Sequence, residues 1–197
     1  MNRERENVAS GRVRPCYTCC HPNGKGTGSS VRFELHPAHG FVEGSIFVTF
    51  ASQKTVGANV NGERVMPTFD WDNRITVRLS INEVAQMLEV FRGYRESICD
   101  GNGLFHKTAK ANTVITLEHR LEPAPGYLFA VSRRSPEGER RRIGVLLSMT
   151  EAIVLGEALS GSALYMAFGV PSVLAREANA GSAASASTPS KSLKEVA

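Results

Sequence analysis

The chain has 197 residues, of which 42% are hydrophobic, and a formal net charge of +4. This length allows one core of ordinary size, and the crowding of three of the four cysteines into residues 16–20 excludes the disulfide framework of a small secreted domain. The charge excess lies outside residues 31–170, which hold fifteen basic and fifteen acidic residues, so the basic character alone is weak evidence for a nucleic-acid partner. The polar N-terminus has no signal-peptide pattern, and we expect a soluble, cytoplasmic protein, with an organellar location as the alternative.

Residues 1–30 are rich in Arg, Glu, Gly and Ser and have almost no apolar periodicity, which predicts a disordered basic arm. Within it Cys16, Cys19, Cys20 and His21 resemble half of a zinc site, but no second pair follows at the spacing of a zinc finger. A metal would need a further ligand from Cys99 or from a partner chain. We therefore predict a thiol-bearing arm and neither a metal nor a cofactor.

Apolar and polar residues alternate over 31–36 and 45–51, which predicts two half-buried strands, and Asn61-Gly62 indicates a turn. The next stretch, 68–79, is predicted as one long strand.

Trp71 shares the parity of Ile75 and Val77 along this long strand, whereas Arg74 and Arg78 have the opposite parity. Trp71 is therefore expected in the core, unless the chain bends between residues 70 and 73.

The stretch 74–93 is repeated 68 positions later, at 142–161, with eight identical residues among twenty. Each copy ends a strand and continues into a Ser-x-x-Glu capping box, at Ser80 and Ser148, so a helix should begin directly after each serine. We predict helices over 81–98 and 149–159, the second with an apolar continuation toward 168. The repetition predicts a pseudo-duplicated α+β domain over residues 31–170, with strands followed by a helix in each half.

The second half contains four alternating stretches that predict strands, at 104–110, 113–121, 127–134 and 140–147. After Pro171 the chain is rich in Ala and Ser, which predicts a flexible tail over 171–197.

An enzymatic site finds little support in the sequence. His36 and His39 lack a carboxylate at ligand spacing, and Asp70 with Asp72 fits a solvated strand start better than a cation site. We find no nucleophile elbow and no phosphate-binding glycine pattern, and we predict that the protein is not an enzyme.

The sequence supports a nucleic-acid-binding surface better than it supports an enzymatic site. Residues 103–142 hold eight Lys/Arg against four Glu, interleaved with aromatic residues, and cations beside exposed rings are typical of proteins that bind single strands. The alternative is that the rings lie in the core and that the arginines at 140–142 are a solvated turn. The candidates for phosphate contacts are Arg74, Arg78, Lys107, Lys110, Arg120, Arg133 and Arg134. The candidates for base stacking are Trp71, Phe105 and Tyr127.

Five short motifs follow one another within about residues 31–168. They are Phe69-Asp-Trp71, Leu79-Ser80-x-x-Glu83, Phe105-His106, Gly126-Tyr127-Leu-Phe129 and Ser148-x-x-Glu151. In order and spacing the series resembles the Whirly family of plant single-stranded DNA-binding proteins, and equally the mitochondrial RNA-binding proteins of kinetoplastids that share their fold.

This resemblance implies a fold of four strands and a helix used twice, a tetramer held together by its helices, sheets that bind extended single strands, and no enzymatic activity. The plant-type Lys-Gly-Lys-Ala-Ala-Leu segment is absent around Gly28 to Leu35, which argues against plant-type higher-order assembly. Lys107 stands where the family has the aspartate of His-Asp-Pro, which makes that strand more basic.

We therefore predict an oligomer that binds single-stranded DNA or RNA with low sequence specificity, in DNA maintenance, transfer or transcription control. The alternative is a regulatory protein-interaction module that has the same fold and does not bind nucleic acid, which the neutral charge of residues 31–170 favours.

Overall fold

The computed structural model describes residues 14–60, 62–122 and 124–170. The strands are β1 (Cys16–His21), β2 (Ser29–His36), β3 (Ser45–Thr55), β4 (Ala58–Val60), β5 (Glu63–Val65), β6 (Thr68–Phe69), β7 (Ile75–Leu79), β8 (Leu104–Lys107), β9 (Asn112–Arg120), β10 (Gly126–Arg134) and β11 (Arg140–Ser148). The α-helices are α1 (Ile81–Phe91) and α2 (Met149–Phe168).

Two antiparallel sheets make up the domain, and each leads into one helix. Sheet 1 has the order β1-β2-β3-β6, with β7 also paired to β3, and sheet 2 has the order β11-β10-β9-β8. The strands β4 and β5 form a separate hairpin. Apart from this hairpin and β6, each half is a four-stranded meander followed by a helix, so the predicted duplication is confirmed.

The core lies between the inner faces of the two sheets, because apolar residues alternate along the strands and point toward each other. At its centre Phe129 is fully buried, with ring centroids 5.7 Å from Phe33 and 4.9 Å from Phe50. Helices α1 and α2 cover the remaining apolar surface through residues such as Met87 and Leu155, both fully buried.

Side chains from one sheet cap a backbone carbonyl at the edge of the other. Arg133 of β10 donates from Nη2 to the carbonyl oxygen of Thr76 on β7 at 2.9 Å, and the Ser29 hydroxyl donates to the carbonyl oxygen of Gly144 on β11 at 2.6 Å. Thr76 and Gly144 are 68 positions apart, which is the offset of the sequence repeat. We call these two contacts the Arg133 seam and the Ser29 seam.

Both predicted capping boxes form. In the first, the Ser80 backbone N–H donates to Glu83 Oε2 at 2.8 Å, while Ser80 Oγ accepts from the Glu83 backbone N–H. Ser148 and Glu151 repeat the arrangement at the start of α2. Each box satisfies backbone donors that the first turn of a helix otherwise leaves unpaired.

Each capping glutamate also contacts a histidine from the other half of the fold. His106 Nε2 on β8 lies 2.5 Å from Glu83 Oε1, and His21 Nε2 on β1 lies 2.9 Å from Glu151 Oε1. The first strand of each half therefore holds the helix start of the other half. We call these two contacts the His–Glu clasps.

Some predicted boundaries are wrong. The predicted long strand 68–79 is interrupted, because Asp70 accepts hydrogen bonds from the backbone and side chain of Asn73 and so closes a turn there. The helix predicted over 81–98 ends at Phe91, since Gly93 takes a left-handed conformation with φ of 74°. The strand predicted over 104–110 ends at Lys107, where Thr108 and Ala111 close a turn.

The expectation of a disordered arm over 1–30 is also wrong in part. Residues 16–21 form β1 along the edge of sheet 1, and β2 begins at Ser29. Tertiary contacts order this segment despite its polar composition, because Cys19 and Tyr17 pack on the core while their neighbours face outward. Residues 1–13 and the expected tail at 171–197 lie outside the described residues. Neither of the described helices is long and apolar enough to cross a membrane.

Substitution of Glu83 by glutamine should lower the free energy of unfolding by about 1–2 kcal/mol at neutral pH, because it removes a charged acceptor from a helix cap. Urea unfolding followed by circular dichroism measures the change. Glu63→Gln is the matched control, since Glu63 lies exposed on β5, and it should leave the stability unchanged.

The effect of Glu83→Gln should shrink at acid pH. Burial raises the pKa of the Glu83 carboxyl, but hydrogen bonds from Ser80 and His106 outweigh burial, so its pKa in the folded protein lies below the ordinary 4.5. The ionised carboxylate therefore stabilises the fold above the unfolded pKa, and this stabilisation is lost as pH falls through the folded pKa. An equal difference between variant and wild type at neutral pH and at about pH 3 would contradict this account.

Candidate nucleic-acid interface

The outer face of sheet 2 carries a line of exposed cations at its hairpin end. The strand register places Lys107 opposite Asn112, Asn112 opposite Arg134, and Arg134 opposite Arg140, so the line crosses all four strands. All four residues are exposed. We call this set the cationic row; neighbouring strands lie about 4.8 Å apart, so it spans about 14 Å.

Among the described residues, none of the three cations in this row forms an ion pair with a carboxylate. Their charges are therefore available to a ligand. The row is exposed, as suits a polyanion that lies across the strands.

Phe105 lies next to the cationic row. Its side chain is 62% exposed, and the register continues from Phe105 through Val114 and Ser132 to Arg142 in the adjacent row. An exposed aromatic ring on a strand beside cations can stack on a base while the cations contact phosphates. Lys110, also exposed, sits in the turn between β8 and β9 at the same end of the sheet.

Two of the predicted phosphate contacts on sheet 2 lie elsewhere. Arg120 is at the opposite end of β9 and pairs with Glu118. Arg133 points to the inner side, where it donates to Thr113 and to the Thr76 carbonyl. Burial, and to a lesser degree the charge of Arg141, lower the pKa of Arg133, as expected for a cation held between the sheets. Arg133 is therefore a structural residue.

Tyr127 is not available for base stacking. It is 6% exposed and packs on the inner side of sheet 2, with ring centroids 5.2 Å from Phe91 and 4.9 Å from His119. Its parity along β10 is that of Phe129, so it belongs to the core. The prediction of a stacking role for Tyr127 is wrong.

The outer face of sheet 1 holds a second aromatic and basic group around Trp71. The turn at residues 70–73 frees Trp71 from the core, and its ring lies against the Arg32 guanidinium, whose carbon is 4.8 Å from the ring centroid. Such a cation–π contact contributes about 0.5–1 kcal/mol at a surface. The buried Nε of Arg32 has no hydrogen-bond partner in the described part of the chain.

Arg74 and Arg78 are exposed on the same side of the molecule as Trp71. Arg74 donates to the Trp71 carbonyl at 2.7 Å, and Arg78 donates to the Glu43 carbonyl at 3.3 Å. Both retain other guanidinium donors. The structure thus places the predicted residues on two faces: Arg74, Arg78 and Trp71 on sheet 1, and Phe105, Lys107, Lys110 and Arg134 on sheet 2.

Sequence reasoning missed Arg32, Arg140 and Arg142 as candidates. Each could have been found from alternation, since Arg32 lies between the buried Val31 and Phe33, and Arg140 and Arg142 have the parity opposite to the buried Ile143. No group of three or more His, Cys, Asp or Glu side chains is placed to hold a metal within residues 14–60, 62–122 and 124–170.

Comparison with known proteins gives a clear structural likeness. No protein-family profile matches the sequence, and no curated sequence gives a significant match. Among solved structures, WHY1 from Arabidopsis thaliana is 18% identical with a TM-score of 0.62, over 92% of this chain and 98% of that chain. The chain has a Whirly-like fold.

Two further structures agree. WHY3 from Arabidopsis thaliana is 19% identical with a TM-score of 0.58, over 87% of this chain and 98% of that chain. The plant transcriptional regulator PBF-2 is 16% identical with a TM-score of 0.56, over 90% of this chain and 98% of that chain. The resemblance to the Whirly family seen in the sequence motifs is therefore confirmed at the level of the fold.

Removal of the Arg32 guanidinium should expose Trp71, the only tryptophan of the chain. In Arg32→Ala the fluorescence emission should shift to longer wavelength and acrylamide quenching should increase, because the ring loses its covering cation. Arg78→Ala removes a cation from the same face without touching the ring and should leave the emission unchanged. An unchanged spectrum in Arg32→Ala would show that the contact does not form in solution.

Proposed function

We propose that the protein binds single-stranded DNA or RNA with low sequence specificity and without enzymatic activity. The observation that carries the proposal is the cationic row on an open sheet face, with the exposed Phe105 beside it. The Whirly-like fold supports it, since the sequence resemblance implies the same class of ligand. We further propose a cytoplasmic role in DNA maintenance, transfer or transcription control, processes in which strands become unpaired.

Phosphate contacts and base stacking would be divided between neighbouring residues. Lys107, Arg134 and Arg140 would contact successive phosphates, since they are exposed and form no ion pair among the described residues, while Phe105 would stack on a base. Stacking of this kind is tolerant of sequence because every base has a flat face. On sheet 1, Trp71 and Arg32 would extend the same mode of binding.

The double substitution Arg134→Ala and Arg140→Ala should weaken single-strand binding and flatten its salt dependence. Each phosphate contact contributes about 0.7 to the slope of log K against log salt for single strands, so the slope should fall by about 1.4. Fluorescence anisotropy with labelled oligonucleotides at several salt concentrations measures it. Arg120→Ala is the control, because Arg120 is paired with Glu118 at the far end of the sheet.

Phe105→Ala should cost about 1–3 kcal/mol of binding free energy with little change in the salt slope, because stacking is not ionic. Tyr127→Phe, at a buried position, should bind like wild type. Binding of wild type that prefers duplex to single strands, or no binding at low salt, would refute the proposed function and favour the interaction-module alternative.

The second part of the proposal is a homotetramer built through the helices. Support comes from α2, whose twenty residues include only two charged side chains, Glu151 and Glu157. Helices that are apolar on all sides are typically buried, yet this one leaves a set of large apolar side chains exposed. They are Met149, Ile153, Val154, Leu164 and Phe168.

Ile153→Lys should reduce the oligomer to a smaller species while leaving the subunit folded, because Ile153 is 66% exposed in the isolated subunit. Light scattering after size exclusion gives the mass, and circular dichroism gives the fold. Val60→Lys is the control, an apolar residue of similar exposure at 51% on β4, and it should keep the wild-type mass. A wild-type protein that is monomeric would contradict the tetramer without affecting the binding proposal.

A further inference from the structure

Strand β1 is an edge strand that lacks the usual protection against pairing with another chain. Natural edge strands carry charges, prolines or bulges that prevent such pairing. The sequence of β1, Cys-Tyr-Thr-Cys-Cys-His, contains no Lys, Arg, Asp, Glu or Pro, and its six residues pair with β2 without a bulge.

The other edges of the two main sheets offer less to a second chain. On β7 and β11 one backbone carbonyl each is already bonded, to Arg133 and to Ser29, and β6 has only two residues. Strand β8 is four residues long and carries Lys107. A second chain meeting these edges would face a capping side chain or a cation, which leaves β1 as the edge best suited to pairing.

The hydrogen-bond register shows which groups of β1 face outward. The Leu35 N–H donates to the Pro15 carbonyl at 3.0 Å, so residues 15, 17, 19 and 21 bond to β2. Because bonding alternates along an antiparallel strand, the N–H and C=O groups of Cys16, Thr18 and Cys20 point to the open side. The side chains of these three residues are exposed on the outer face.

We propose that β1 pairs antiparallel with β1 of a second copy of this chain, about a two-fold axis at Thr18. This register overlaps the whole strand and satisfies all three outward pairs, with Thr18 opposite Thr18 and Cys16 opposite Cys20 at both ends. No like charges meet, and cross-strand threonine pairs are favourable. An isologous contact of this kind is self-complementary, so the occupant is a second copy.

The pairing is independent of the helix surface and of the cationic row. Its residues lie on β1, whereas the tetramer of the proposed function uses α2 and the proposed ligand contacts lie on other strands. The pairing would join two copies of sheet 1 into one continuous sheet. It would bring the two Trp71–Arg32 groups onto a shared outer face.

The two cysteines allow a test that depends on the register. Residues bonded across an antiparallel pair have Cα atoms about 5.5 Å apart, within the range that a disulfide spans. Diamide can take up the two thiol hydrogens as the sulfur–sulfur bond forms. Cys19 is the least reactive of the three thiols on β1, since it is buried and burial, with the charge of Glu151, raises its pKa to about 11.

Full-length wild type treated with diamide should give a covalent dimer linked between Cys16 and Cys20, as read by non-reducing electrophoresis and peptide mass spectrometry. Cys16→Ser alone and Cys20→Ser alone should lose at least nine-tenths of this dimer. Co-expression of the two single variants with different tags should restore a mixed dimer with one Cys16–Cys20 bridge.

Thr18→Glu tests the pairing without changing either thiol. Within the chain the new carboxylate would face Arg32 and favour the fold, but at the two-fold axis two carboxylates would meet and reduce the cross-link at least about fivefold. Cross-linking that persists in either single variant, a bridge between identical cysteines, or no mixed dimer on co-expression would overturn the proposal. None of these outcomes bears on single-strand binding.

Discussion

The two His–Glu clasps are the contacts on which the arrangement of the halves depends. Each capping glutamate serves its own helix through serine and the opposite half through histidine, so a single carboxylate fixes a helix start and a strand from the other repeat. Each first strand is thus held both by its own sheet and by the helix start of the other half. The duplicated sequence therefore gives one domain with a shared core around Phe129, which buries a larger fraction of its surface than two separate units of half the size would bury.

The position of the candidate binding face on sheet 2 follows from the His–Glu clasp at Glu83. His106 is held at Glu83, and its neighbours on β8, Phe105 and Lys107, point to the opposite side of the strand. The residue that fixes the strand thus alternates with the residues that would contact a ligand. Rigid attachment of this kind reduces the conformational entropy lost on binding, and it places the exposed ring at a fixed distance from the cationic row.

The sequence predicted best what depends on local chemistry and alternation. The capping boxes at Ser80 and Ser148 located both helix starts, and alternation located most strands. Alternation alone does not say which face of a strand meets the core. The sequence therefore places Tyr127 on the wrong face and does not reveal that Arg133 points inward. Strand β1 could not be foreseen from a six-residue window, because its pairing with β2 and its clasp to Glu151 involve residues outside that window.

The acceptor carbonyls of the two seams are equivalent in position, but the two contacts are unequal in strength. The Arg133 seam uses a charged donor, whereas the Ser29 seam uses a neutral hydroxyl, and charge-assisted hydrogen bonds are roughly twice as strong as neutral ones. Partial opening of the native state should therefore begin at the Ser29 side, where β2 meets β11, while the β7 side stays closed. We therefore expect amide exchange to be faster along the Ser29 seam than along the Arg133 seam, which would give a symmetric duplication a directional breathing motion.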